Sequence, residues 1–119
     1  MCIRDREEQG NCNNIVNIPL PPGCTGELMR QKYEALVFPV LRKFKPDLIL
    51  ISAGFDAHKA DPLAELNWST ADFSWLTARL CKIAAECCEG RLVSTLEGGY
   101  DLKALADSVK AHVTKLCEA

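Results

Sequence analysis

Two short segments constrain the fold of this chain more than anything else in it. One is Asp47-Leu48-Ile49-Leu50-Ile51-Ser52-Ala53-Gly54-Phe55-Asp56-Ala57-His58, and the other is Arg91-Leu92-Val93-Ser94-Thr95-Leu96-Glu97-Gly98-Gly99-Tyr100. Each is an apolar run rich in β-branched residues that ends in small residues and then a reactive side chain. A continuous run of this kind reads as a strand buried on both faces, as in a parallel sheet. In open parallel sheets, chemistry gathers in the loops beyond the carboxyl ends of the strands. Asp56 and Tyr100 both fall there. If the strands are neighbours, a carboxylate and a phenol converge on one crevice.

The rest of the chain supplies the crossovers. Asn14 to Ile18 reads as a short first strand, stopped by the rigid Pro19-Leu20-Pro21-Pro22-Gly23 loop. Met29, Tyr33, Leu36, Val37, Val40, Leu41 and Phe44 recur at helical spacing. Pro39 should kink or split that helix, and Pro46 should end it, pushing Lys45 out of the helical region. The second strand is Leu48 to Ser52, followed by a loop to about Trp68. Ser69-Thr70-Ala71-Asp72 has the form of a capping box, and Gly90 is the expected C-terminal cap of the helix behind it. The third strand is Leu92 to Leu96. Asp101 is a good N-cap for a last helix whose expected stripe is Leu102, Leu105, Val109, Val113 and Leu116. The order β-α-β-α-β-α, with crossovers of this length, defines an α/β fold with a central parallel sheet.

At 119 residues the chain allows one domain or part of a larger one, and at 48% apolar residues it can build a core. A net charge of −2 with both signs mixed leaves no footprint for nucleic acid or a membrane surface. No apolar stretch approaches the ~20 residues that span a bilayer, and the N-terminus lacks the apolar core of a secretory signal. Seven cysteines are many, but none are spaced Cys-x-x-Cys. Reduced thiols in a cytosolic protein fit better than a disulfide framework or a cysteine metal site. Residues 1–13 are expected to be unstructured or artefactual. Met1-Cys2-Ile3-Arg4-Asp5-Arg6 resembles the translation of a sequencing-library adaptor, which would make it an artificial start.

From spacing alone, Asp56 is a turn or cap aspartate more simply than a metal ligand. His58, two residues on, could complete an Asp-x-His pair, although a loop histidine beside lysine is more often a solvated side chain. Asp61-Pro62 is most simply a turn element. The glycines before Tyr100 let the backbone approach a ligand closely, and a tyrosine hydroxyl in a cleft can donate to a developing oxyanion. Gly98-Gly99 lacks the third glycine of a dinucleotide fingerprint.

Taken together, the motifs are more specific. Ser52-Ala53-Gly54-Phe55-Asp56-Ala57-His58 with Asp61-Pro62-Leu63, Leu96-Glu97-Gly98-Gly99-Tyr100-Asp101-Leu102, and Asn17-Ile18-Pro19-Leu20-Pro21-Pro22-Gly23 resemble the zinc-dependent histone deacetylase and acetylpolyamine amidohydrolase superfamily, closest to its class II and bacterial branch. The resemblance runs from about Asn14 to Leu116. It implies a three-layer arginase/deacetylase fold, with residues 14–119 as the C-terminal part of a deacetylase domain. It implies that Asp56 is one of three Zn2+ ligands, that Tyr100 polarises the acetyl carbonyl, and that Gly98 and Gly99 line the acyl-lysine channel. The substrate would be an acetylated lysine side chain or an acetylpolyamine, and the setting cytoplasmic, or nuclear in a eukaryote. The family's other two ligands and its His-His base lie upstream of the region seen here, so the chain alone is expected to be inactive. Two other readings stand beside this one. One is a non-catalytic α/β interaction module on the same scaffold. The other is a small nucleotide-binding unit using Glu97-Gly98-Gly99 at a helix start.

Overall fold

The two apolar runs become adjacent parallel strands, β1 (Ile49–Ala53) and β2 (Leu92–Leu96), in register from Ile49 beside Leu92 to Ala53 beside Leu96. The structure is a computed structural model that describes residues 8–119. The adaptor-like run at 1–6 lies outside the described residues. Helices α1 (Gly26–Lys32) and α2 (Phe38–Phe44) precede β1, α3 (Thr70–Cys88) crosses from β1 to β2, and α4 (Leu102–Glu118) follows β2.

The caps explain where these helices begin. Ser69 closes a capping box on α3: Asp72 Oδ2 accepts from both the Ser69 N–H and the Ser69 hydroxyl at 2.8 and 2.7 Å. Asp101 caps α4 by accepting from the Ala104 N–H at 2.7 Å. Glu89 and Gly90 both take positive φ where α3 ends, so the stop expected at Gly90 uses two residues. Pro39 splits its helix as its missing N–H requires. A five-residue π turn, Tyr33–Val37, widens the spiral just ahead of it, and the Phe38 N–H bonds back to Tyr33. Lys45 leaves the helix at φ 53 before Pro46.

Ile49, Ile51 and Ala53 face the helices. They meet Met29 of α1, Phe38 of α2, and Phe73, Ile83, Ala84 and Cys88 of α3 in two contiguous apolar clusters. Phe38, Met29 and Ile83 are fully buried. Removing the Phe38 ring would cost ~3–5 kcal/mol, the scale for a buried aromatic cut to alanine.

Three expectations are corrected. The 14–18 segment has no regular secondary structure and pairs with no strand among the described residues, and Ile15 and Val16 are exposed, so the described sheet has two strands. The strands are covered on one face only: Leu50 is 72% and Val93 55% exposed. The described residues therefore form two layers, one sheet and one set of helices. Of the stripe expected on α4, Leu105 and Val109 pack against the core, but Leu102 is 81% exposed and Val113 is exposed too, and the buried positions are Ala104, Ser108 and His112. Turning α4 this way sets polar side chains on β2 and α3 opposite His112, which an apolar stripe could not satisfy.

Candidate active site

Pairing between the strands continues past their formal ends, and this builds the site. Glu97 N–H donates to Ala53 O at 3.0 Å and Phe55 N–H donates to Gly98 O at 2.7 Å. The two loops therefore leave the sheet side by side, with Asp56 against Gly98. A Cβ on Gly98 would lie 2.9 Å from the Asp56 carboxyl carbon, and one on Gly54 would lie 2.8 Å from Asp56 Oδ1. Any side chain at either place would push the carboxylate away. Gly99 has φ +143, and a Cβ there would stand 2.7 Å from Leu105 Cδ1 and 3.4 Å from Phe55 Cβ. Both its backbone and its surroundings call for glycine. The glycine pair thus makes room for the protein's own carboxylate and packing.

The Asp56 carboxylate is half-buried and takes no hydrogen bond from any described residue. The other aspartates nearby are engaged. Asp72 and Asp101 cap helices, and Asp72 also receives Arg30 Nη2 at 2.7 Å. Asp61 Oδ1 accepts from the Leu63 N–H at 2.9 Å, and its Oδ2 accepts from the Tyr100 N–H at 2.7 Å. Partial desolvation works against the charge on Asp61, but the N–H groups of Leu63, Tyr100, Asp101 and Ala64 outweigh it and hold its carboxyl below the ordinary value. Asp61 thus does more than shape a turn: it ties the loop after β1 to the loop after β2. Tyr100 itself is 58% exposed, with its ring open to solvent.

His58 is not a freely solvated side chain. Its Nδ1 accepts from the Ala60 N–H at 3.1 Å, its Nε2 lies 3.5 Å from Thr70 Oγ1, and its ring stacks on Phe73 at 13°. Those contacts hold the ring against the loop and the start of α3.

His112 is the group that sequence reasoning missed. It is buried behind Phe55, edge-on at 5.6 Å. The Thr77 hydroxyl donates to Phe73 O, so it accepts from His112 Nδ1–H, at 2.7 Å. Nε2 is then the acceptor for the Ser94 hydroxyl at 2.9 Å. Burial holds the imidazole pKa below its ordinary value. No local motif could reveal this, because the partners sit 35 and 18 positions away.

Among the described residues, no three His, Cys, Asp or Glu side chains gather closely enough to hold a metal ion. Asp56, whose carboxylate at the strand ends takes no hydrogen bond from any described residue, has the donor chemistry of a cation ligand. An open groove between the C-terminal halves of α3 and α4, lined by Cys81, Lys82, Leu92 and Leu116 among others, includes neither Asp56 nor Tyr100.

The geometry is that of a strand-end site in a parallel α/β sheet, with its polar groups on the two loops beyond β1 and β2. Comparison with known proteins gives the class. The sequence profile described as "Histone deacetylase domain" matches residues 3–116. A relative from Oryza sativa subsp. japonica, named "Histone deacetylase 10, chloroplastic", is 48% identical over 102 residues, covering 85% of this chain and 23% of its own length. The "Histone deacetylase-like amidohydrolase" of Pseudomonas aeruginosa is 38% identical over 94 residues, covering 79% and 24%. The crystal structure of the HDA15 HD domain superposes with a TM-score of 0.76 at 32% identity, covering 85% of this chain and 28% of that one. The chain belongs to the histone deacetylase family. It spans about a quarter of the length of these relatives. No helix among the described residues is long and apolar enough to cross a membrane.

Proposed function

We propose that residues 14–119 are the C-terminal part of a zinc-dependent deacetylase domain. The complete enzyme would remove acetyl groups from acetyl-lysine side chains, on histones or other proteins, or from acetylpolyamines. The observation that carries this reading is the Asp56 carboxylate: set against Gly54 and Gly98, beside the turn that bears Tyr100, and given no hydrogen bond by any described residue. Asp56 would be one of three protein ligands to zinc. Bound there, the metal supplies Lewis acidity to the amide carbonyl and acidity to a water molecule.

The other roles belong to this chain's own groups. Tyr100 would turn its exposed hydroxyl toward the acetyl oxygen and donate a hydrogen bond as that oxygen gains charge. The main chain at Gly98 and Gly99 would line the acyl channel, since no side chain stands there. Two metal ligands and the His-His base would come from the part of the parent enzyme outside this chain. The cytoplasm, or a plastid like that named for the rice relative, would be the setting.

Asp56→Ala in the complete domain tests the assignment. Zinc content should fall far below one ion per chain and acetate release should stop, because two ligands leave too little affinity and the wrong geometry. Near-normal zinc and rate would make Asp56 a turn residue. The absence of a three-ligand cluster among the described residues favours one alternative for this chain by itself, a non-catalytic module on the same scaffold. Purified chain loaded with zinc should accordingly release no acetate from an acetyl-lysine peptide. Turnover blocked by a hydroxamate would contradict that.

A further inference from the structure

Tyr100 poses a positioning problem. A hydroxyl that donates to a developing oxyanion must be held to a fraction of an ångström. Yet its ring is mostly exposed, and it follows two glycines, the most permissive residues in the chain. Neither side-chain packing nor backbone stiffness fixes where the ring stands relative to Asp56. The main chain that carries the ring is tied to the Asp56-bearing loop, through the 2.7 Å bond from the Tyr100 N–H to Asp61 Oδ2. Such bonds to an ionised carboxylate are short and about twice as strong as neutral ones.

The grip is shared. Asp61 Oδ1 takes the Leu63 N–H at 2.9 Å, and the N–H groups of Ala64 and Asp101 also turn toward this carboxylate. Asp101 starts α4, so the same carboxylate seats the helix that follows Tyr100. Asp61 is itself anchored: its N–H donates to His58 O at 2.8 Å, and the His58 N–H donates to Phe55 O at 3.2 Å. This chain of bonds leads back to the residue before Asp56.

We propose that Asp61 is the positioning residue for Tyr100. From the loop that carries Asp56 it grips the backbone that carries the phenol, and so sets the spacing between the two reactive groups. Its kinetic consequence rests on the deacetylase reading above; the clamp itself does not. Asparagine is nearly isosteric here but keeps one acceptor oxygen. Its amide nitrogen would have to face either the Tyr100 or the Leu63 N–H.

In the complete domain, Asp61→Asn should lower kcat by ~10–10²-fold, the scale of a misplaced reacting group. KM and zinc content should stay near wild type. If Asp61 acts through the phenol, Asp61→Asn placed on Tyr100→Phe should slow the enzyme no further. A wild-type kcat for Asp61→Asn, or a full additional loss on Tyr100→Phe, overturns the proposal. A wild-type kcat for Tyr100→Phe alone overturns the oxyanion role, and the kinetic half of the proposal with it. Amide hydrogen exchange reads the clamp without activity. In the unsubstituted protein the Tyr100 amide should be protected despite its exposed ring, and Asp61→Asn should release it. A freely exchanging Tyr100 amide in the unsubstituted protein sinks the clamp, even if Asp61→Asn does not fold.

Discussion

His112 carries a pH dependence into the fold. Two hydroxyls satisfy the neutral ring, one accepting from Nδ1–H and one donating to Nε2, and burial resists its protonation. Its folded pKa lies below the unfolded value of about 6.5. Between those two values the unfolded chain binds the extra proton, so stability is whole above about pH 6.5 and falls as pH drops toward the folded pKa. The ring resonances of His112 should therefore titrate with a midpoint below 6.5, and urea stability should decline across the same interval. A midpoint at or above 6.5 would contradict the burial account. At this scale the placing of Asp56 and Tyr100 beyond two neighbouring strands is legible from the sequence because both lie in short motifs at strand ends. His112 and Asp61 are not, because what they do is set by partners on other elements: Thr77 and Ser94 for one, Tyr100 for the other.

Among the elements, α1 and α3 are joined through one carboxylate. Asp72 serves the α3 capping box and also receives Arg30 Nε and Nη2 of α1 at 3.0 and 2.7 Å. Arg30 lies over Trp75 at 5.2 Å. Desolvation opposes the charge on Asp72, and the hydrogen bonds from Ser69 and Arg30 outweigh it, so its carboxyl stays below the ordinary value. Gly26, at the start of α1, is buried against this carboxylate, and a Cβ there would collide with it. Gly26→Ala should cost ~1–3 kcal/mol, the range for overpacking, although alanine favours helix. Thermal or urea unfolding checks it, and a neutral or stabilised variant would show that Asp72 can move aside. The capping box and the Asp101 cap could be read locally because each closes within three residues. The 14–18 strand could not be judged that way: a strand forms only beside a partner, and the described residues offer none.

At the scale of the whole molecule, the uncovered sheet face dominates. Leu50 and Val93, neighbours in the register, form a bare apolar surface beside unpaired strand edges, with Leu48 and Phe44 also exposed. The molecule is 22 Å deep in its thinnest direction, about the thickness of one helix layer, at ~10–12 Å, on one sheet. Surfaces of this kind associate. The chain on its own should self-associate at micromolar concentration, as sedimentation velocity would show. A monodisperse monomer with one cooperative unfolding transition would argue for a self-contained domain. The apolar runs at 47–53 and 91–96 read as strands buried on both faces, and it is the second face that the described residues leave bare. If these two strand ends form half of a deacetylase site, Tyr100→Phe within the complete domain should reveal it. The substitution removes one hydroxyl and keeps the exposed ring, so folding and zinc content should hold. If the hydroxyl donates to the oxyanion, kcat on an acetyl-lysine peptide should fall by ~10²–10³ while KM changes little, because the bond strengthens only in the transition state. A variant with wild-type kcat would leave Tyr100 a surface side chain and contradict the account.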